Sequence, residues 1–268
     1  MPALFGLAGR RIRGVGMKTM LAMALTAALT LAVSVPLLGS STDDKIESSF
    51  KNSYVSKTFL KDDSVKIEAK DGIVTLTGTV SEESHKFLAG ETAADLPAVT
   101  RVDNRLEIAH LAVADVKSNE WITAKVKATL LFHSKVSAAT EVSVSGGVVT
   151  LGGTADSISQ KNLTAEYARG VDGVTAVKND MTVSTAPSTA TKAKDQALAN
   201  IDDASITAQA KMALLFDRST SSLKTTVTTT NGVVTLTGQA ASKAERDSAT
   251  KLVSDVNGVR SVINRMTV

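Results

Sequence analysis

Three nearly identical octapeptides constrain the fold of this chain more than any other feature. They read DGIVTLTG at 71–78, GGVVTLGG at 146–153 and NGVVTLTG at 231–238. Each begins with a residue pair that tolerates positive φ in a two-residue hairpin turn, and it continues with β-branched residues that suit a strand. A phrase repeated in this way predicts one structural unit, built around a β-hairpin, that is used three times.

Glycine and asparagine recur at fixed positions within these repeats. The glycines are the second turn residues Gly72, Gly147 and Gly232, and the final octapeptide residues Gly78, Gly153 and Gly238. The asparagines Asn104, Asn179 and Asn264 each follow the final glycine at the same interval of 26 residues. The final glycines are expected to permit a bend or close packing. The asparagines are expected to face the core and hold neighbouring backbone, with a polar ligand contact as the less favoured alternative.

Helices are predicted on both sides of each hairpin. Upstream, apolar residues recur at every fourth position: Ile46, Phe50 and Tyr54; Ile122, Val126 and Leu130; Ile206, Ala210 and Leu214. The Asp43-Asp44 and Asp202-Asp203 pairs are expected to cap two of these helices. Downstream, capping-box spacings predict helix starts at Thr79, Ser157 and Ser242. An alternating strand closes each repeat, so the predicted class is α+β, with three tandem α-β-β-α-β modules, each a three-stranded sheet with two helices on one face.

Composition shifts predict the domain boundaries. They are a signal peptide or membrane anchor at 1–40, modules at 41–110, 117–184 and 201–268, and an Ala-, Ser- and Thr-rich linker at 185–200. The first segment is basic up to Lys18, apolar from Met20 to Leu38, and then small and polar. A cleaved signal peptide is favoured and an uncleaved anchor is the alternative, with translation starting at Met1 or Met17. Either alternative places the rest of the chain outside the cytoplasm.

Charge and cysteine content narrow the possible functions. The formal net charge is +3, and it becomes −1 without the four basic residues of the export segment. The modules are therefore near neutrality, and no nucleic-acid partner is expected. Cysteine is absent, which excludes disulfides and thiol chemistry.

The hairpin phrase GVVTLTG and the closing strands AVKNDMTV and SVINRMTV resemble the BON domain family of bacterial osmotic-stress and nodulation proteins. The resemblance covers nearly everything after residue 41, in three copies. It implies a non-enzymatic periplasmic envelope protein that associates with phospholipid membranes or envelope proteins during osmotic or envelope stress. The alternative is a soluble protein-interaction or chaperone-like module that uses the sheet face opposite the helices.

Candidate site residues are few. The histidines His85, His110 and His133 fall at unrelated positions in the repeats, so no enzyme activity, metal or cofactor is expected. The candidate lipid contact lies in the second repeat, where Trp121, Lys125 and Phe132 share a helical face beside the apolar stripe. An aromatic ring next to a lysine suits a lipid headgroup boundary. Core packing explains Phe132 equally well.

Overall fold

The computed structural model describes residues 39–109, 118–136, 139–184, 201–220 and 225–268. The predicted export segment up to residue 38 and the predicted linker lie outside these described residues. We call the described parts the first module (39–109), the second module (118–184) and the third module (201–268). Residues 37–268 fall within one compact unit.

Each module mixes helices and strands in the predicted order. The first contains α1 (Gly39–Asn52), α2 (Tyr54–Thr58), β1 (Ser64–Lys70), β2 (Ile73–Val80), α3 (Glu83–Ala94), β3 (Arg101–Asn104) and β4 (Glu107–Ile108). The second contains α4 (Asn119–Phe132), β5 (Thr140–Ser145), β6 (Val148–Ala155), α5 (Ile158–Gly170), β7 (Ala176–Asn179) and β8 (Thr182–Val183). The third contains α6 (Asp203–Phe216), β9 (Thr225–Thr230), β10 (Val233–Gly238), α7 (Lys243–Ser254) and β11 (Ser261–Asn264). The α+β class is confirmed.

Three separate sheets form, one in each module. The central strands β2, β6 and β10 pair antiparallel with the strand before them and parallel with the closing strand. The third sheet has the expected three strands, but in the other two the closing strand is interrupted, and β4 and β8 are its second halves. The interruption in the first module lies opposite Gly78, whose φ of +112° bends the central strand.

The hairpin turns have the geometry that their sequences predict. Both turn residues have positive φ, for example +51° at Asp71 and +76° at Gly72, as a type I′ turn requires. The carboxylate of Asp43 accepts hydrogen bonds from both of these amides, at 3.0 and 3.3 Å. The prediction that Asp43 caps α1 is therefore wrong, because α1 begins at Gly39 and Asp43 holds the hairpin turn from within the helix.

The downstream helices begin at serine caps in two modules. Ser157 accepts a hydrogen bond from the Gln160 amide, and Ser242 accepts one from the Glu245 amide, so both predictions are confirmed. The predicted start at Thr79 is wrong. Thr79 pairs with Ser64 and Glu107 inside the sheet, and α3 begins only at Glu83.

Helix α6 lies at the centre of the structure. It packs against α3 of the first module, α4 of the second and α7 of its own module. Small side chains such as Ala204, Ala208 and Ala213 are buried, which lets the neighbouring helices approach closely. A helix that is buried over most of its surface belongs to an interior. The three modules are therefore packed together around one helix of the third.

Candidate functional site

The predicted lipid-contact face of α4 is largely covered by other modules. Phe132 is fully buried, and its ring lies 5.5 Å from that of Phe59 in the first module. Lys125 is only 6% exposed, and its Nζ lies 3.2 Å from the Asp172 carboxylate. The structure thus brings Lys125 next to Trp121 but directs Phe132 into the core. A lipid contact through these three side chains stays a prediction, and it would require the modules to separate.

A cleft opens beside Trp121, where the three modules meet. It has a volume of about 390 Å³ and lies between α3, α4 and α6. The Lys125 ammonium lies 5.5 Å from the centre of the Trp121 ring and 5.8 Å from that of Phe216. The buried indole N–H of Trp121 has no hydrogen-bond partner among the described residues. The cleft therefore combines aromatic walls, one paired cation and one unsatisfied donor. We call it the Trp121 cleft.

A buried polar cluster joins the second and third modules. The Asp255 carboxylate accepts hydrogen bonds from the Tyr167 hydroxyl and from the Lys135 ammonium. The His133 ring stacks on the Tyr167 ring at 3.7 Å. Burial raises the pKa of Asp255, but the hydrogen bonds from Lys135 and Tyr167 outweigh it and hold the pKa below its usual value. Burial and the hydrogen bond to Asp255 raise the pKa of Tyr167.

The second and third modules pair with approximate twofold symmetry. Two antiparallel bridges join them, His133 with Val256 and Val171 with Asp217. His133 and Asp217 follow equivalent first helices, while Val171 and Val256 follow equivalent second helices. Each module thus gives the other the same pair of surfaces, as in an isologous dimer. The Asp255 cluster sits at one of the two bridges, so its role is to hold modules together.

We expect the Asp255 cluster to make the free energy of unfolding decrease as the pH falls into the acidic range. A carboxyl with a lowered folded pKa stabilises the protein fully above its unfolded pKa of about 3.9, and this stabilisation is lost as the pH falls towards the folded pKa. Asp255→Asn should therefore lose stability at neutral pH and show a weaker pH dependence below about pH 4. Urea unfolding of both proteins across this range measures the effect. Equal slopes in the two proteins would contradict it.

A serine, a histidine and an aspartate also meet in the first module. His85 Nδ1 lies 2.6 Å from the Asp63 carboxylate and 3.1 Å from the Ser81 hydroxyl. In a hydrolase triad, one ring nitrogen contacts the serine and the other contacts the aspartate. Here both contacts involve Nδ1, so the three residues do not have the arrangement of a triad. His110, the remaining histidine, lies outside the described residues.

Sites for a metal or a membrane span are lacking in the described parts of the chain. No group of three or more histidine or acidic side chains in these parts is placed to hold a metal ion. None of the helices there is both long enough and apolar enough to cross a bilayer. The predicted export segment does not belong to these parts.

Sequence comparison with known proteins shows which family this chain belongs to. The sequence model of the BON domain matches residues 42–110, 118–185 and 202–268. The chain belongs to the BON domain family. It is 33% identical over 190 residues to Osmotically-inducible protein Y of Escherichia coli strain K12, which covers 70% of this chain and 87% of that protein. It is 32% identical over 149 residues to the 21 kDa hemolysin of Actinobacillus pleuropneumoniae, which covers 52% of this chain and 73% of that protein.

Solved structures add little to this assignment. The C-terminal domain of CdsD, a structural protein of the type III secretion system of Chlamydia trachomatis, covers 80% of this chain and 94% of its own. The sequence identity is 15% and the TM-score is 0.22. A TM-score this low does not indicate a shared arrangement.

The repeated asparagines bind backbone in every BON module. Their Nδ2 atoms donate to carbonyls of the second helix at 2.8 to 2.9 Å: Asn104 to Lys86, Asn179 to Lys161 and Asn264 to Arg246. Their Oδ1 atoms accept from the amide two residues later. Each asparagine therefore links the closing strand to the helix that covers the sheet.

Two of the repeated glycines occupy positions with no room for a side chain. A Cβ on Gly78 would collide with the carbonyl oxygen of Ser64 in β1, and a Cβ on Gly153 would collide with that of Ala139, just before β5. The turn glycines Gly72, Gly147 and Gly232 have φ between +74° and +77°, and Gly238 has a φ of +125°. The close contacts and positive φ angles explain the repeated glycines by the requirements of the fold. None of them lines the Trp121 cleft.

Proposed function

We propose that this chain is a non-enzymatic binding protein of the bacterial envelope, exported to the periplasm, that acts in osmotic or envelope stress. The observation that carries the proposal is the 33% identity to Osmotically-inducible protein Y, which extends over 87% of that protein. The basic and apolar pattern of residues 1–40 supports export.

Binding is the favoured activity because the polar groups of the described modules are used in packing. Asp255, Lys135 and Tyr167 join two modules, and the repeated asparagines hold backbone. The Trp121 cleft is apolar with few polar groups, as is usual for binding sites.

Deletion of the gene tests the physiological half of the proposal. The deletion strain should grow more slowly than its parent after an osmotic upshift, and expression of the intact chain should restore growth. The intact chain should be recovered in the periplasmic fraction. Normal growth of the deletion strain under osmotic and envelope stress, or a cytoplasmic location of the chain, would contradict the proposal.

We propose a phospholipid surface or an envelope protein as the partner. Purified residues 41–268 should sediment with anionic vesicles if the membrane is that partner, and Lys125→Glu should then weaken sedimentation. Because Lys125 is buried beside Asp172, the variant must first show an unchanged circular dichroism spectrum. If the protein sediments with no lipid composition, a phospholipid surface is not its partner. The burial of Lys125 and Phe132 argues against a lipid contact through these two side chains.

A further inference from the structure

Strand β9 has an unpaired edge. In a two-residue hairpin, the residues that flank the turn form a hydrogen-bonded pair, and such pairs then alternate along the strands. Thr230 and Val233 flank the turn here, so the N–H and C=O groups of Val227 and Thr229 point away from β10. No hydrogen bond from another described residue reaches these backbone groups.

The corresponding edge of the first module is covered. There the amide of Ala69 donates to the carboxylate of Glu47 on α1, at 3.1 Å. The third module has Thr207 in place of Glu47, and its hydroxyl hydrogen-bonds to the Thr229 hydroxyl and to the Asp95 carboxylate at the end of α3 instead of covering the amide. Strand β9 also reads TTVTTT, without the lysine, glutamate or proline that commonly protects an edge. The edge of β9 is therefore open to another strand.

A groove runs beside this edge. It has a volume of about 290 Å³, and Thr225 and Val227 of β9 belong to its lining. Phe87 of α3 also lines it, and α6 contributes Leu215, which is 38% exposed. Phe87 and Leu215 also line the Trp121 cleft, so the groove and the cleft adjoin at these two side chains. We treat the two together as one groove, to which all three modules contribute.

The charges of the groove are unequal at its two ends. Beside β9, Lys211 is paired with Glu91. In the Trp121 cleft, Lys125 is paired with Asp172, while Glu83 has no ion-pair partner among the described residues. The cleft end therefore carries a net negative charge. The Trp121 ring lines the same end and offers an aromatic surface to an apolar side chain.

We propose that this groove binds an extended segment of a partner polypeptide, which adds a strand to the open edge of β9. The main chain of the segment pairs with Val227 and Thr229, as in other peptide sites built on a sheet edge. An apolar side chain of the segment packs against Phe87 and Leu215, and a basic side chain approaches Glu83. Strand addition to β9 does not depend on a role in osmotic stress. Either proposal can therefore fail while the other holds.

Peptide binding to purified residues 41–268 tests the proposal. The probe is a fluorescein-labelled heptapeptide of alternating valine and threonine that ends in lysine amide, followed by fluorescence anisotropy. Leu215→Glu should weaken binding at least about tenfold, because it places a charge in the apolar wall. Leu131→Glu is the matched control, since Leu131 is the equivalent residue of α4, is 49% exposed and does not line the groove. It should leave binding unchanged.

Two further measurements distinguish strand addition from other modes of binding. A proline at the centre of the peptide should abolish binding, and the peptide should slow hydrogen exchange of the Val227 and Thr229 amides in the native chain. Glu83→Lys should shift the preference to a peptide that ends in glutamate. No binding, equal binding to Leu215→Glu, or unchanged exchange at both amides would overturn the proposal. Leu215-dependent binding of anionic vesicles without peptide binding would also overturn it.

Discussion

Gly153→Ala is expected to lower the free energy of unfolding by about 3 kcal/mol, because it combines backbone strain with a steric collision. The φ of Gly153 is +91°, which side chains rarely tolerate. A Cβ there would also meet the carbonyl oxygen of Ala139 on β5's side of the sheet. Gly153 lies in the β5–β6 ladder, paired with Thr140, so relief of the collision would disturb this pairing. Urea unfolding of residues 41–268 measures the loss.

Gly146→Ala is the matched control for this prediction. Gly146 also has positive φ, at +57°, but no atom lies within 4 Å of the added Cβ. Only the left-handed conformation opposes the substitution, and this costs about 1 kcal/mol. If the two variants lose the same free energy of unfolding, the collision between a Cβ at Gly153 and the Ala139 carbonyl adds nothing to the cost, and the prediction is wrong.

Asp202→Ala is expected to lower the free energy of unfolding by about 2 kcal/mol or more, because one carboxylate serves two helices. It accepts from the Ser205 amide of its own helix α6 at 2.9 Å. It also accepts from the Tyr54 amide of α2, in the first module, at 2.8 Å. Its removal breaks a link between modules as well as a helix cap. Thermal and urea unfolding both measure the loss.

Ser242→Ala is the control, because Ser242 caps only α7 within one module. Ser242→Ala should lower the free energy of unfolding by about 1 kcal/mol, the usual value for a single helix cap. A loss at Asp202 no larger than that at Ser242 would show that the contact with Tyr54 contributes nothing to stability.

The elements within each module were predictable because they depend on local residue types. Turn pairs such as Asn231-Gly232 favour type I′ geometry, and the serine caps at Ser157 and Ser242 form where the spacing places them. The error at Thr79 also has a local cause. The threonine has a suitable cap side chain, but it lies opposite Ser64 and Glu107 in a strand that continues to Val80.

The packing between modules was not predictable from the repeat. Residues of α4 that looked like a second, lipid-facing surface are covered by protein, because Phe132 meets Phe59 of the first module and Lys125 meets Asp172 of its own module. A helical pattern shows that a face is apolar, but it does not show whether protein or lipid covers it. The open edge of β9 was also missed, although the uncharged run TTVTTT was a signal for it.

Calorimetric unfolding of residues 41–268 most directly tests the central claim, that three BON modules form one body around α6. The account predicts a single transition whose calorimetric and van't Hoff enthalpies agree, as for one cooperative unit. Two or three separate transitions, or a van't Hoff enthalpy well below the total calorimetric enthalpy, would show that the modules fold independently. That result would contradict both the shared core and a groove that needs all three modules.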